Sequence, residues 1–340
     1  MTTVIVPTLN ESENISELVR RLRFAGYNDK ILVIDDSPDM KTVEAAWKAG
    51  CWAHRRTNGR GLSSAVIDGV KFSDDDKIVV MDADLQHPPE LVPELIRQLD
   101  THDFVVATRT SHPSMTAVRR MVSVVANLMS WPLAPKVKDR MTGFFGFKRS
   151  VINPTSLNPM GWKIGLEIMA KGHYNHIAEV PYSFGMRHHG ASKLSKHVIF
   201  EYLKQLTLLY FHKFRMLRFA AVGGLGTLTG LLVLFAMTSR LGVHYMGSYL
   251  FAFVFVASQN YWLNKRWTFS DRSVASLGYF RYLLVASTTL VLDEALLYAF
   301  TELCNIWYML SATIAITIAF AVRYLVVGKF VWKQQRSMHH

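Results

Sequence analysis

The chain has 340 residues, half of them hydrophobic and 19% charged, with a formal net charge of +12. That length allows about two domains, and only two cysteines, Cys51 and Cys304, exclude a disulfide scaffold. From Lys213 onward twelve Lys/Arg stand against four Asp/Glu, so most of the positive excess lies in the apolar third and not on a soluble face, which argues against nucleic acid as a partner.

The chain opens on a strand pattern, Thr3-Val4-Ile5-Val6-Pro7, with no secretory leader ahead of it. Polar Thr8-Leu9-Asn10-Glu11 follows, then a helix predicted from Ser12 to about Phe24 and a strand over Lys30–Ile34 that ends in Asp35-Asp36-Ser37-Pro38-Asp39. A helix is expected around Thr42–Ala49, an apolar strand ending at Asp82, a helix from Pro89 to Leu99 and a strand over Phe104–Thr108. This βαβα order predicts an α/β fold with a mostly parallel sheet flanked by helices, whose ligands gather at the carboxyl ends of the strands. No glycine-rich dinucleotide fingerprint or phosphate loop is present, so phosphates bound here need a metal.

Asp82-Ala83-Asp84-Leu85-Gln86-His87-Pro88-Pro89-Glu90 is the most informative stretch. Side chains alternate on an extended backbone, so Asp82 and Asp84 project to one side as the strand runs out. Two hard oxygen ligands there suit Mg²⁺ or Mn²⁺ carrying a diphosphate; a solvated acidic turn is the plainer reading. His87 reads either as a further ligand or as a packed turn residue before the two prolines, and Glu11 either as a ligand group or as a charge complementing a helix dipole.

Further on, Met121, Val122, Val124, Val125, Leu128, Met129 and Trp131 form an apolar stretch, and Lys196–Phe214 shows helical spacing with Ile199, Leu203, Leu206 and Tyr210. Both fit helices at a membrane interface or ordinary packing helices. Four apolar stretches near 219–239, 243–263, 282–303 and 307–327 have the length of bilayer spans. Basic residues cluster before the first (Lys213, Arg215, Arg218), between the second and third (Lys265, Arg266, Arg272, Arg281) and after the fourth (Lys329, Lys333, Arg336). By the positive-inside rule the chain is an integral, multi-pass membrane protein with the head and both termini cytoplasmic. Asp293 and Glu294 fall within the third span, with Arg323 of the fourth as the natural ion-pair partner. The spans also offer a surface for homo-oligomerisation through the membrane domain.

These clusters, in this order, resemble a family-2 glycosyltransferase with the GT-A (Rossmann-like) fold, and more closely the polyprenyl-phosphate sugar synthases of the dolichyl-phosphate mannose synthase type. The matching residues are Val-Pro-Thr-Leu-Asn-Glu (6–11), Ile-Asp-Asp-Ser-Pro-Asp (34–39), Arg-Gly-Leu-Ser-Ser-Ala (60–65), the 82–90 stretch and Ala-Thr-Arg (107–109). Arg119 with Ser123, Asp139, Thr-Gly-Phe-Phe (142–145), Gly-Trp-Lys-Ile-Gly-Leu-Glu (161–167), and Arg187 ahead of Gly190–Leu194 complete the set. The last third resembles a GtrA-type four-helix membrane domain through Arg-Phe-Ala-Ala-Val-Gly-Gly (218–224) and the 260–269 run.

The resemblance implies a catalytic domain over 1–194, an amphipathic juxtamembrane helix over 195–217 and a membrane domain over 218–340. It assigns Pro7, Leu9, Glu11, Asp36 and Asp82 to the nucleotide sugar, and Asp82, Asp84 and Gln86 to the metal. Arg109, Arg119, Ser123, Arg187 and Lys193 fall to the phosphate of a polyprenyl (dolichyl) acceptor. Together with Asp84, the first four of these form the expected catalytic set. The activity implied is inverting transfer of one hexose, GDP-mannose to dolichyl phosphate first and UDP-glucose second. A lipid-linked-sugar transporter or scaffold is the reading from a different class. The Gln-x-x-Arg-Trp signature of processive synthases is missing, which weighs against a polymerase.

Overall fold

In the computed structural model, residues 1–57, 61–111, 117–152, 157–158, 161–183, 185, 196–270 and 276–332 are described. The chain divides into two compact units, Met1–Lys213 and Phe214–His340.

The first unit is built from β1 (Thr2–Thr8), α1 (Ser12–Phe24), β2 (Lys30–Asp35), α2 (Lys41–Lys48), β3 (Trp52–Arg55), α3 (Leu62–Lys71) and β4 (Lys77–Val80). There follow α4 (Val92–Gln98), β5 (Phe104–Ser111), α5 (Ala117–Met129), β6 (Phe145–Lys148), α6 (Ile164–Lys171), β7 (Ile177–Ser183) and α7 (Lys196–Lys213). The seven strands form one sheet in the order β3-β2-β1-β4-β6-β5-β7. All pairings are parallel except those of β6, which runs antiparallel to β4 and to β5.

Alternation along the strands sorts the apolar side chains into two cores, one on each face. Val4, Val6, Val33, Val79 and Val105 pack with Ile15, Leu18, Val43's neighbour Ala46 and Leu95, from α1, α2 and α4. Ile5, Ile34, Ile78, Phe104, Phe145 and Phe147 pack on the other face with Ala65, Val66 and Ile168, from α3 and α6. Gly69 lets α3 lie close to the sheet, because a Cβ there would stand 2.6 Å from Ile5 Cγ2. β1 pairs with β2 on one side and β4 on the other, so the chain's winding reverses beside β1. That reversal opens a crevice at the carboxyl ends of these strands.

The helix and strand expectations for the first hundred residues are met, with β4 ending at Val80 rather than Asp82. In the second unit the helices are α8 (Arg215–Phe235), α9 (Tyr245–Leu263), α10 (Ser276–Tyr298) and α11 (Tyr308–Val326). Four helices thus form where four spans were expected, but among the described residues three apolar runs, Arg215–Arg240, Leu277–Leu303 and Tyr308–Val331, are long and apolar enough to cross a membrane. The shortfall is in α9, whose last turns carry Ser258, Gln259 and Asn260. The expected Arg323–Asp293 pair is not made. Arg323 donates to the Thr289 hydroxyl at 2.7 Å and the Ala286 carbonyl at 3.3 Å, which lie a turn or more before Asp293 on α10.

The Phe104, Phe145 and Phe147 rings stack at 5.8–6.2 Å and are fully buried. Phe145→Ala should lower stability by about 3–5 kcal/mol, read as a fall in the denaturation midpoint of the detergent-solubilised protein.

Candidate active site

The carboxyl ends of β1 and β2 are laced together. Thr8 Oγ1 and Ser37 Oγ both donate to Asp35 Oδ1, at 2.9 and 2.7 Å, and the Asn10 N–H donates to Ser37 Oγ at 2.8 Å. Asn10 takes a positive φ of 59° to turn the chain there. Burial raises the Asp35 pKa above the usual aspartate value. Pro7 is buried within β1 and Leu9 is half-buried just beyond it. Glu11 sits at the start of α1, where its carboxylate accepts from Asn14 Nδ2 at 2.7 Å.

Asp36, just past β2, is engaged by a guanidinium and a backbone N–H. Arg56 Nη1 donates to its two oxygens at 3.0 and 3.2 Å, and the Gly61 N–H donates at 2.8 Å. Arg56 also bonds Ser64 at 2.7 Å and pairs with Asp68 at 3.0 Å. This nearly buried cluster ties the end of β2 to the start of α3.

Beyond β4, Leu85 has a φ of +63° and reverses the chain between Asp84 and Gln86. Non-glycine residues in this region are sparse and concentrate at sites. The Gln86 N–H donates to Asp84 Oδ1 at 3.2 Å, and Gln86 and Gly185 exchange bonds at 3.0 and 3.4 Å. The Asp82 side chain is 38% exposed, and Gly143 approaches it so closely that a Cβ there would lie 3.2 Å from Oδ2. His87 is the packed residue, not a displayed ligand. Its ring stacks on Phe144 at 5.1 Å, meets Tyr182 edge-on, and accepts the Asp82 N–H at Nδ1, 3.1 Å away. Burial pushes its pKa down to about 4, with Asp84 opposing and Arg109 and Lys163 adding to the fall.

Among the described residues no group of three His, Cys, Asp or Glu converges as a metal site. Two carboxylates and an amide at one edge still fit a cation such as Mg²⁺, which takes one or two protein carboxylates and completes its shell from substrate phosphates and water.

A groove of about 500 Å³ lies at the end of β5, lined by Arg109, Ser123, Asn127, Lys138, Asp139 and Glu179 among others. Arg109 and Ser123, given together to the acceptor phosphate by the resemblance, both line this groove. Arg109 is locked in a fork, with Nε and Nη2 donating to the Asp139 carboxylate at 2.7 and 2.9 Å. Burial works against the charged Asp139, yet its bonds from Arg109 prevail and hold its pKa below the usual value. Arg119 lies on α5, but its side chain, like Arg187 and Lys193, is outside the described residues.

Two residues that carried no role in the sequence reading emerge here. Asp139 is one, and Lys163 is the other. The Lys163 ammonium donates to the Met141 carbonyl at 2.7 Å, and burial, ahead of the neighbouring Arg109 charge, lowers its pKa. Lys163 lies in the matched 161–167 run, which gave it no role; the fold brings it within electrostatic range of Asp82.

Asp139→Asn should break the fork and leave a largely buried guanidinium half-satisfied, destabilising the protein by about 3 kcal/mol. The wild-type contribution is complete above the ordinary aspartate pKa of about 3.9 and is lost as pH falls through the depressed value. Melting temperatures from pH 3 to pH 7 should therefore converge for the two proteins only at the acid end.

Residues 3–154 match the Glycosyl transferase family 2 and residues 218–338 the GtrA/DPMS transmembrane domain. A dolichol-phosphate mannosyltransferase of Pyrococcus furiosus is 36% identical over 97% of this chain and 98% of its own length. Proteins of the same name from Saccharomyces cerevisiae and Mycosarcoma maydis are 40% and 38% identical over 62% of this chain, and 87% and 79% of theirs. Among solved structures, glucosyl-3-phosphoglycerate synthase from Mycobacterium tuberculosis aligns with 63% of this chain and 79% of that one at 18% identity and a TM-score of 0.49, too loose a likeness to bear on function. With a relative alike from end to end, a GT-A-like sheet and a membrane domain of the matching type, this chain is a membrane glycosyltransferase that belongs to glycosyl transferase family 2, in its dolichol-phosphate mannosyltransferase branch.

Proposed function

We propose that the protein transfers one mannose from GDP-mannose to dolichyl phosphate or a similar polyprenyl phosphate, at the cytoplasmic face of the membrane and with inversion at the anomeric carbon. The observation that carries this reading is one edge of the sheet offering two chemistries side by side. Asp82, Asp84 and Gln86 follow β4 in the loop beyond Val80, and the groove holding Arg109 and Ser123 lies at the end of β5. The names of the relatives support the choice of donor sugar and acceptor.

On this reading Pro7, Leu9, Glu11 and Asp36 border the nucleoside, with Asp36 held in place by Arg56. Asp82, Asp84 and the Gln86 amide would hold Mg²⁺ or Mn²⁺, which when bound supplies Lewis-acid stabilisation of the departing nucleoside diphosphate. No general base is required. A phosphate monoester has a second pKa near 6 and is largely a dianion at pH 7, already a nucleophile. The task left to the protein is to bring that dianion against a second polyanion. Arg109 and Ser123, joined by Arg119, Arg187 and Lys193, would orient its oxygens by charge-assisted hydrogen bonds. The acceptor phosphate then attacks opposite the leaving group, inverting the centre in one displacement.

The lipid tail has a route on the same unit. α5 exposes Val124 and Leu128, with Trp131 exposed just past its end, and α7 exposes Ile199, Phe200 and Leu203 beside it. Tyr202 and Tyr210 of α7 bond the α5 carbonyls of Ala126 and Met129, both at 2.7 Å, and keep the two helices together. These apolar sides would rest among lipid headgroups next to the groove, and Lys213, Arg215 and Arg218 favour the cytoplasmic side.

The test is purified protein in detergent with a panel of labelled nucleotide sugars and a short polyprenyl phosphate. GDP-mannose should give mannosyl-phosphoryl-polyprenol; product from UDP-glucose alone would move the donor assignment, and no product from any donor would contradict the reading. Asp84→Ala should lower the rate by roughly 10²–10³-fold. Arg109→Ala should raise the acceptor KM about tenfold or more, while the donor KM changes little.

A further inference from the structure

The segment from Asp139 to Gly143 links the two halves of the site. Its Asp139 carboxylate holds the Arg109 fork and also accepts the Met141 N–H at 3.2 Å. Its Met141 carbonyl accepts from the Lys163 ammonium, and Gly143 lies against the Asp82 carboxylate. Lys163 is thereby placed at the junction between the donor edge and the acceptor groove. Its backbone is anchored as well, because its carbonyl accepts from Gln205 Nε2 of α7 at 3.2 Å.

An ammonium group has three donors and no acceptor. Among the described residues Met141 O takes one of the three, and no carboxylate forms an ion pair with Lys163. Asp82 and Asp139 attract it only from longer range, and Arg109 repels it. A half-buried cation with two spare donors, set beside the edge assigned to the donor phosphates, is suited to an anion that completes its shell.

We propose that the Lys163 ammonium contacts phosphate during transfer, giving its two spare N–H bonds to a phosphoryl oxygen at the junction between Asp82 and the Arg109–Asp139 fork. This rests on the glycosyl-transfer reading above and extends it by one substrate-contacting residue. The oxygen belongs either to the diphosphate of the donor or to the acceptor monophosphate, since both must meet there.

Lys163→Met keeps the length of the side chain and removes its charge. In full-length protein in detergent it should lower kcat/KM for transfer at least about tenfold, with Lys163→Arg recovering part of the loss. Calorimetric titration with GDP and Mg²⁺, without acceptor, distinguishes the sources. Weaker GDP binding assigns the oxygen to the donor; unchanged GDP binding with a raised acceptor KM assigns it to the acceptor. Neither change in a variant of normal melting temperature overturns the proposal. Wild-type protein provides a check independent of folding of the variant: Lys163 acetylation, mapped by mass spectrometry, should fall when GDP with Mg²⁺ or the polyprenyl phosphate is added. Equal acetylation under all conditions contradicts the assignment. A wild-type protein that transfers no sugar would instead remove the underlying reading, a result separate from either of these.

Discussion

The Arg109–Asp139 fork is the contact on which the site depends. It joins the end of β5 to the segment leading into β6, with both side chains little exposed, about 11% and 12%. Charge pairs in such surroundings are expensive to break from one side, because the survivor is left desolvated and unmatched. The fork therefore fixes the path of residues 139–143. That path in turn sets where Met141 receives Lys163 and how closely Gly143 approaches Asp82. One ion pair thus governs the spacing between the edge assigned to the donor and the groove assigned to the acceptor.

A second clasp, Arg56 on Asp36, does similar work at the other end of the edge. Between the two clasps the chain takes up strain at Asn10 and Leu85, whose positive φ angles are held by the surrounding bonds. Both sit where a strand of the sheet gives way to a site loop. The regular layers beneath, with apolar side chains alternating to the two cores, supply the rigid support such loops need.

Much of this was legible in the residues. Val4–Val6 and Lys30–Ile34 announce strands through continuous β-branched and aliphatic runs, and Ser12–Phe24 announces its helix by periodicity, because both patterns follow from local burial. The strand leading to Asp82 was legible for the same reason, though it stops at Val80 and leaves Asp82-Ala83-Asp84 in the loop beyond it. What escaped was set by distant partners. β6 and β7 are short or carry polar residues, and they become strands only by pairing with β4 and β5. The hold of Arg56 on Asp36, twenty residues away, is likewise set by the fold. His87 allows a metal reading until Phe144 and Tyr182 enclose it. Lys163 falls in a matched run, but nothing local gives it a role. In the membrane unit, charge and length alone suggested an Arg323–Asp293 pair, and helix phase brought Thr289 to the guanidinium instead.

The initial rate of mannosyl transfer to a short polyprenyl phosphate, followed as EDTA is added and then exceeded by Mg²⁺ or Mn²⁺, tests the central claim most directly. The account predicts that transfer collapses when divalent cations are withdrawn and returns when they are restored. An undiminished rate in excess chelator would contradict it.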